Sequence, residues 1–148
     1  MPKFKTVVDT NIFISGLSSA ENDSCTKILN LIEKERINVL FAQDTFGELI
    51  YVAKHFVRKF LNSKKEKMEV LNNLVELFYK SLSINTVGYE SPKCLDKYDD
   101  MFIKCALAGN ADYLITDDFK SGMHSIEFDT LKVVSSGEFI DIWNDSCK

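Results

Sequence analysis

Phe4-Lys5-Thr6-Val7-Val8-Asp9-Thr10-Asn11 is the stretch that decides how this 148-residue chain folds. Val7 and Val8 form a short β-branched run, too short for a helix and suited to a buried strand. Asp9 follows at once, and Ile12, Phe13, Ile14 and Leu17 then begin an apolar pattern at helical spacing. A buried strand that ends in a carboxylate and turns straight into a helix places that carboxylate at the C-terminal edge of a sheet. Open α/β sheets keep their ligands at that edge.

The remainder of the chain repeats this alternation. Ser18 to Asn22 reads as a loop, with Asp23 or Ser24 as the N-cap of the next helix. Cys25, Ile28, Leu29 and Ile32 share one face of that helix, which is expected to end near Arg36. Ile37 to Phe41 is a second strand, and Gln43-Asp44-Thr45 opens a helix with Phe46, Leu49, Ile50, Ala53 and Val57 inward. Asn62-Ser63 separates this from a long helix, Lys64 to Lys80, with a broad apolar face of Met68, Leu71, Leu74, Val75 and Phe78. Leu82-Ser83-Ile84 is a weaker third strand, and Gly88 to Lys97, with Pro92, is a loop.

A helix from Tyr98 to Ala108 is expected to stop in the left-handed conformation at Gly109 and Asn110. Tyr113-Leu114-Ile115 is a fourth strand and runs into Thr116-Asp117-Asp118. The segment Phe119 to Asp129 carries no readable period. Leu131 to Val134 is a fifth strand, and Ser135-Ser136 cap a last helix through Phe139, Ile140 and Trp143. Strands alternating with helices predict an α/β fold with a mainly parallel sheet of about five strands, covered by helices on both faces. The length suits one domain spanning residues 1–148.

Composition removes several function classes. No segment approaches the roughly 20 apolar residues that span a bilayer, and no signal peptide is apparent, so no membrane role and a cytoplasmic location are expected. Cys25, Cys94, Cys105 and Cys147 lack any C-x-x-C spacing, which argues against zinc; Cys25 and Cys105 fall on apolar helix stripes as reduced core residues. Net charge is −4, from 22 acids and 18 bases. Four acids assigned to a metal would leave the two signs equal, so the balance does not exclude a nucleic-acid substrate.

Each notable acid has an ordinary reading. Asp9 could cap the following helix, Glu48 could be an exposed helix residue, and Asp99 and Asp100 suit the positive end of a helix dipole. Lys104, four residues beyond Asp100, could form a plain surface pair with it, and Asp117 and Asp118 could be turn residues. Their conjunction is more telling. The C-terminal ends of parallel strands and the N-terminal ends of the helices that follow share one rim. Carboxylates gathered there repel by roughly 4 kcal/mol per pair at about 4 Å and an effective dielectric near 20. A divalent cation relieves that cost, and all-oxygen ligands suit Mg²⁺ or Mn²⁺.

Val7-Val8-Asp9-Thr10-Asn11, Glu48-Leu49, Asp100 leading into Phe102-Ile103 and Ala106, and Ala111 to Asp118 resemble the PIN-domain ribonucleases. The resemblance runs from Val7 to about Ile142 and is nearest the branch described as toxin components of toxin–antitoxin pairs. It implies a PIN-like three-layer α/β/α fold and an acidic quartet of Asp9, Glu48, Asp100 and Asp118 that holds Mg²⁺ or Mn²⁺. It also implies that Asn11 and Thr116 orient those acids. Relatives often carry Asp-Pro-Asp-Asp-Asp before the third acid, where this chain has Asp96-Lys97-Tyr98-Asp99-Asp100, which makes Asp99 an alternate. Where relatives commonly have Thr-Gly-Asp, Asp117 stands in the middle and could compete for metal.

The expected activity is metal-assisted hydrolysis of an RNA phosphodiester, with an antitoxin protein and a homodimer as further implied partners. Such chemistry requires no histidine base: His55 lies two turns beyond Glu48, and His124 reads as a surface residue. Lys54, Arg58, Lys59, Lys64, Lys65 and Lys67, with one acid among them, form either a solvated helix junction or a phosphate-tracking patch. Three other readings compete. A catalytically inactive PIN-like nucleic-acid-binding module would keep the fold without turnover. A haloacid-dehalogenase-like phosphatase would want an acid where Asn11 stands, and a receiver-like signalling domain would want a lysine where Ser135 and Ser136 stand.

Overall fold

The computed structural model describes residues 3–18, 23–90 and 99–148. The elements run β1 (Lys5–Val8), α1 (Thr10–Ser18), α2 (Ser24–Glu33), β2 (Asn38–Phe41), α3 (Gln43–Phe60), α4 (Lys64–Lys80), β3 (Leu82–Ser83), α5 (Asp100–Ala108), β4 (Tyr113–Ile115), β5 (Lys132–Val134) and α6 (Ser136–Ser146). A short 3-10 turn, Met123–Ser125, lies between β4 and β5. All five strands are parallel, in the order β3-β2-β1-β4-β5, so β1 is central.

Side chains alternate across the pleat and feed two cores, giving a three-layer α/β/α sandwich. Val8, Val39, Phe41, Ile115 and Val134 join Ile12, Phe13, Ile28, Leu49, Ala53 and Phe139 on one face. Val7, Leu40 and Leu114 meet Phe102, Ile103, Cys105, Ala106 and Met123 on the other. Cys25 and Cys105 are buried free thiols, and burial pushes each up to about 11. Both are therefore thiols at neutral pH. Among the described residues no helix is long and apolar enough to cross a membrane.

Local chemistry sets the boundaries. Asp23 caps α2 by accepting from the Cys25 N–H at 2.9 Å, and Ser63 caps α4 by accepting from the Glu66 N–H at 3.1 Å. At the start of α3 the Thr45 hydroxyl accepts from the Ala42 N–H at 2.9 Å. Ser135 and Glu138 form a reciprocal capping box on α6.

Several boundaries differ from the sequence reading. Helix α2 ends at Glu33 rather than near Arg36, because Glu35 takes a left-handed turn (φ 54°) and Arg36 N–H closes back on the Leu31 carbonyl at 2.9 Å. After α5 the left-handed residue is Asn110 (φ 53°), with Gly109 at φ −92°. The apolar face of α4 is mostly exposed: Leu74 is its buried residue, whereas Val75 is 61 % accessible. This helix lies against α3 at the β3 edge, so little of its circumference is covered. The expected loop residues 19–22 and 91–97, together with Cys94 and Tyr98, fall outside the described residues.

Candidate functional site

Asp9 leaves the C-terminal end of the central strand and is only 3 % exposed. Its N–H donates to the Ile115 carbonyl at 2.9 Å, which carries the β1–β4 ladder one residue beyond the strand. Its carboxylate is fixed from two sides. The buried Thr116 hydroxyl donates to Oδ2 at 2.8 Å, and the Asn11 N–H reaches Oδ1 at 3.4 Å. The support from Asn11 thus comes from its main chain, while its side chain is exposed.

Thr116 links two acids. While its hydroxyl donates to Asp9, the same oxygen accepts the Asp118 N–H at 3.1 Å. Asp118 Oδ1 in turn accepts the N–H groups of Lys120 (2.9 Å) and Ser121 (3.2 Å), so the turn after β4 closes on its own carboxylate. Burial raises the pKa of Asp9 above the usual carboxylate value. The Thr116 and Asn11 hydrogen bonds oppose that rise, and the negative charges of Asp118 and Glu48 add to it. Glu48, half-buried on α3 beside the inward residue Leu49, therefore shares a field with Asp9 and Asp118.

Asp100 opens α5 and is half-buried. Helices that connect parallel strands run antiparallel to them, so the start of α5 lies toward the rim that Asp9 occupies. Asp99 is the N-cap residue of that helix. Asp117 goes elsewhere. Its Oδ1 accepts from the Ser136 N–H at 2.7 Å, and its Oδ2 accepts from the Ser136 hydroxyl at 2.8 Å and the Cys25 thiol at 3.6 Å. The Ser24 and Ser136 hydroxyls are themselves 2.7 Å apart. Asp117 thus joins the starts of α2 and α6, with both oxygens committed to donors.

The donor set fits a hard dication in its chemistry, since Asp9, Glu48, Asp100 and Asp118 offer oxygen alone and Asp9 is buried against like charge. It is not assembled as a shell: among the described residues no group of three or more His, Cys, Asp or Glu forms a metal-holding cluster. The basic residues Lys54, Arg58, Lys59, Lys64 and Lys65 are exposed and Lys67 is half-buried. On α3, Lys54 and Lys59 stand roughly 9 and 16 Å along the axis from Glu48, so the cluster lies away from the rim.

Two features escaped the sequence reading. His124 is half-buried, with Nε2 2.8 Å from the Thr116 carbonyl and its ring stacked on Phe119 at 4.2 Å. Ser136 holds Asp117 across 19 residues of sequence, which no local pattern announces. His55 is exposed on α3 against Tyr51. A cavity of about 420 Å³ between α2, α4 and the start of β2 contains none of these acids.

A family model described as PIN domain matches residues 5–120. No curated protein matches the chain in sequence. Among solved structures, FitAcB from Neisseria gonorrhoeae is 17% identical over 89% of this chain and 98% of its own, with a TM-score of 0.53. VapBC2 from Rickettsia felis, bound to a DNA fragment from its promoter, is 19% identical over 88% of this chain and 98% of the other, with a TM-score of 0.50. FitAB bound to an IR36 DNA fragment is 17% identical over 88% and 94%, with a TM-score of 0.50. At these identities the likeness is one of fold.

Proposed function

The chain belongs to the PIN-domain family, and from that premise we propose that it is a Mg²⁺- or Mn²⁺-dependent endoribonuclease, the toxin component of a toxin–antitoxin pair, acting as one PIN-like domain over residues 1–148. The observation that carries this reading is the buried Asp9 carboxylate, set against the charges of Asp118 and Glu48 at the end of the central strand. Asp9, Glu48, Asp100 and Asp118 would hold the ion. When bound, a divalent ion supplies an activated water at neutral pH and stabilises charge building on a phosphate.

The chain's own residues do the positioning. The Thr116 hydroxyl holds Asp9 and, through the Asp118 amide, keeps the turn after β4 beside it. The amides of Lys120 and Ser121 hold the Asp118 carboxylate in place. Phosphates beyond the cut site would meet the exposed bases of α3 and α4, a contact that weakens as salt rises. The VapBC2 and FitAB neighbours are bound to DNA fragments by their names, and an antitoxin protein is the partner proposed for this chain.

The test is internal cleavage of a single-stranded RNA in Mn²⁺ or Mg²⁺, with the DNA of the same sequence and a chelated reaction alongside. Cutting of the RNA alone, abolished by chelation, is expected; metal-independent cutting refutes the mechanism. A second reading, a PIN-like module that binds nucleic acid without turnover, is favoured by the unassembled state of the acids. RNA binding with no cleavage in either metal would select it.

A further inference from the structure

Phe119 follows directly after Asp118, and the residue is 63 % exposed. A large exposed aromatic beside a rim of carboxylates serves no packing role in the core, yet it is not loose. Its ring lies on the His124 imidazole with centroids 4.2 Å apart and planes 22° from parallel. His124 is anchored in turn, its Nε2 2.8 Å from the carbonyl of Thr116. The backbone between them is pinned by the Asp118 carboxylate at Lys120 and Ser121, and by the Ser121 hydroxyl, which accepts from the Met123 N–H at 3.2 Å. The turn that places Asp118 therefore also fixes an aromatic surface next to it.

We infer that Phe119, backed by His124, is a stacking platform for one nucleobase of the substrate beside the Asp118 carboxylate. This rests on the nuclease reading above. Every base has a π-face, so stacking on an aromatic ring recognises a strand without reading its sequence, and it requires a base not already stacked in a helix. A ring held in place before binding loses little freedom when the base arrives. Phe119 contributes to substrate positioning at the rim, and no proton transfer is assigned to His124.

The test uses a short single-stranded RNA carrying 2-aminopurine, titrated into wild-type protein, Phe119→Leu and Phe119→Trp without added metal. Wild type is expected to quench the probe. Phe119→Leu keeps an apolar side chain but removes the π-face, and should weaken binding about 5- to 150-fold, the equivalent of losing one base–aromatic stack. Phe119→Trp should bind as well as wild type or better. In Mn²⁺ the leucine variant should raise KM with kcat nearly unchanged. Wild-type quenching and affinity retained in Phe119→Leu overturn the platform while leaving the nuclease reading intact. A wild-type protein that neither binds nor cuts the RNA overturns both.

Discussion

At the seam between α2 and α6, Asp117 meets the Ser136 amide, the Ser136 hydroxyl and the Cys25 thiol, and each of its oxygens has a donor. One residue on, at the rim beside β1, the Asp118 charge acts on a buried Asp9 that also feels Glu48. The seam carboxylate is matched by donors at the positive end of a helix and stabilises the fold. The rim carboxylates oppose one another and are held in place by Thr116 in spite of that. Two adjacent aspartates thus separate a structural charge from one kept at a cost to stability, and such costs concentrate where a protein works.

Asp9→Asn is the strongest way to break this contrast. Metal-dependent RNA cleavage should fall by roughly 10²–10³-fold, the scale of removing one preorganised charge-stabilising group. Its melting temperature, read by calorimetry, should hold or rise, because asparagine can still accept from Thr116 while the buried charge is gone. A variant that cuts RNA at the wild-type rate would remove Asp9 from the mechanism.

Asp117→Ala should do the reverse. Losing the Ser136 and Cys25 bonds is expected to cost about 1–2 kcal/mol, toward the low end for bonds to a charged group because the residue is exposed. Denaturant unfolding measures that loss, and cleavage by the folded fraction should stay within about threefold of wild type. Loss of activity with stability intact would move Asp117 to the rim.

The pH dependence of stability sharpens the same difference. The Asp9 pKa is raised in the folded state, so between its ordinary value of 3.8 and that higher value the folded protein holds the extra proton. Stability from this group therefore falls as pH rises through that interval and stays lower above it. Unfolding curves in chelator should show Asp9→Asn gaining on wild type as pH climbs from about 3.8, then levelling. A constant difference across that range would contradict the raised pKa. The smallest effect is expected for Ser24→Ala, which loses one hydroxyl contact to Ser136 and about 0.5–1 kcal/mol in the same unfolding assay.

The parts legible in the sequence were those written locally. The Val7-Val8-Asp9 and Tyr113-Leu114-Ile115 runs become β1 and β4, and Asp23, one of the two expected residues, caps α2. The end of α2 was hidden because its left-handed turn uses Glu35, with no glycine to mark it. Periodicity on α4 reported an amphipathic helix, but periodicity does not say how much of the apolar face a neighbour covers. The roles of Asp117 and Asp118 differ because the turn after β4 bonds one to Ser136 and leaves the charge of the other acting on Asp9, a distinction of tertiary structure. The link from His124 to Thr116 likewise spans eight residues with no repeating pattern.

The central claim, that acids from separate elements serve one hard dication, is tested most directly by calorimetric titration of Mn²⁺ into the RNA-free protein. Wild type and Asp117→Ala should bind with similar affinity, whereas Asp9→Asn and Asp118→Asn should each weaken binding by about tenfold or more. Mn²⁺ affinity unchanged in Asp9→Asn would contradict it.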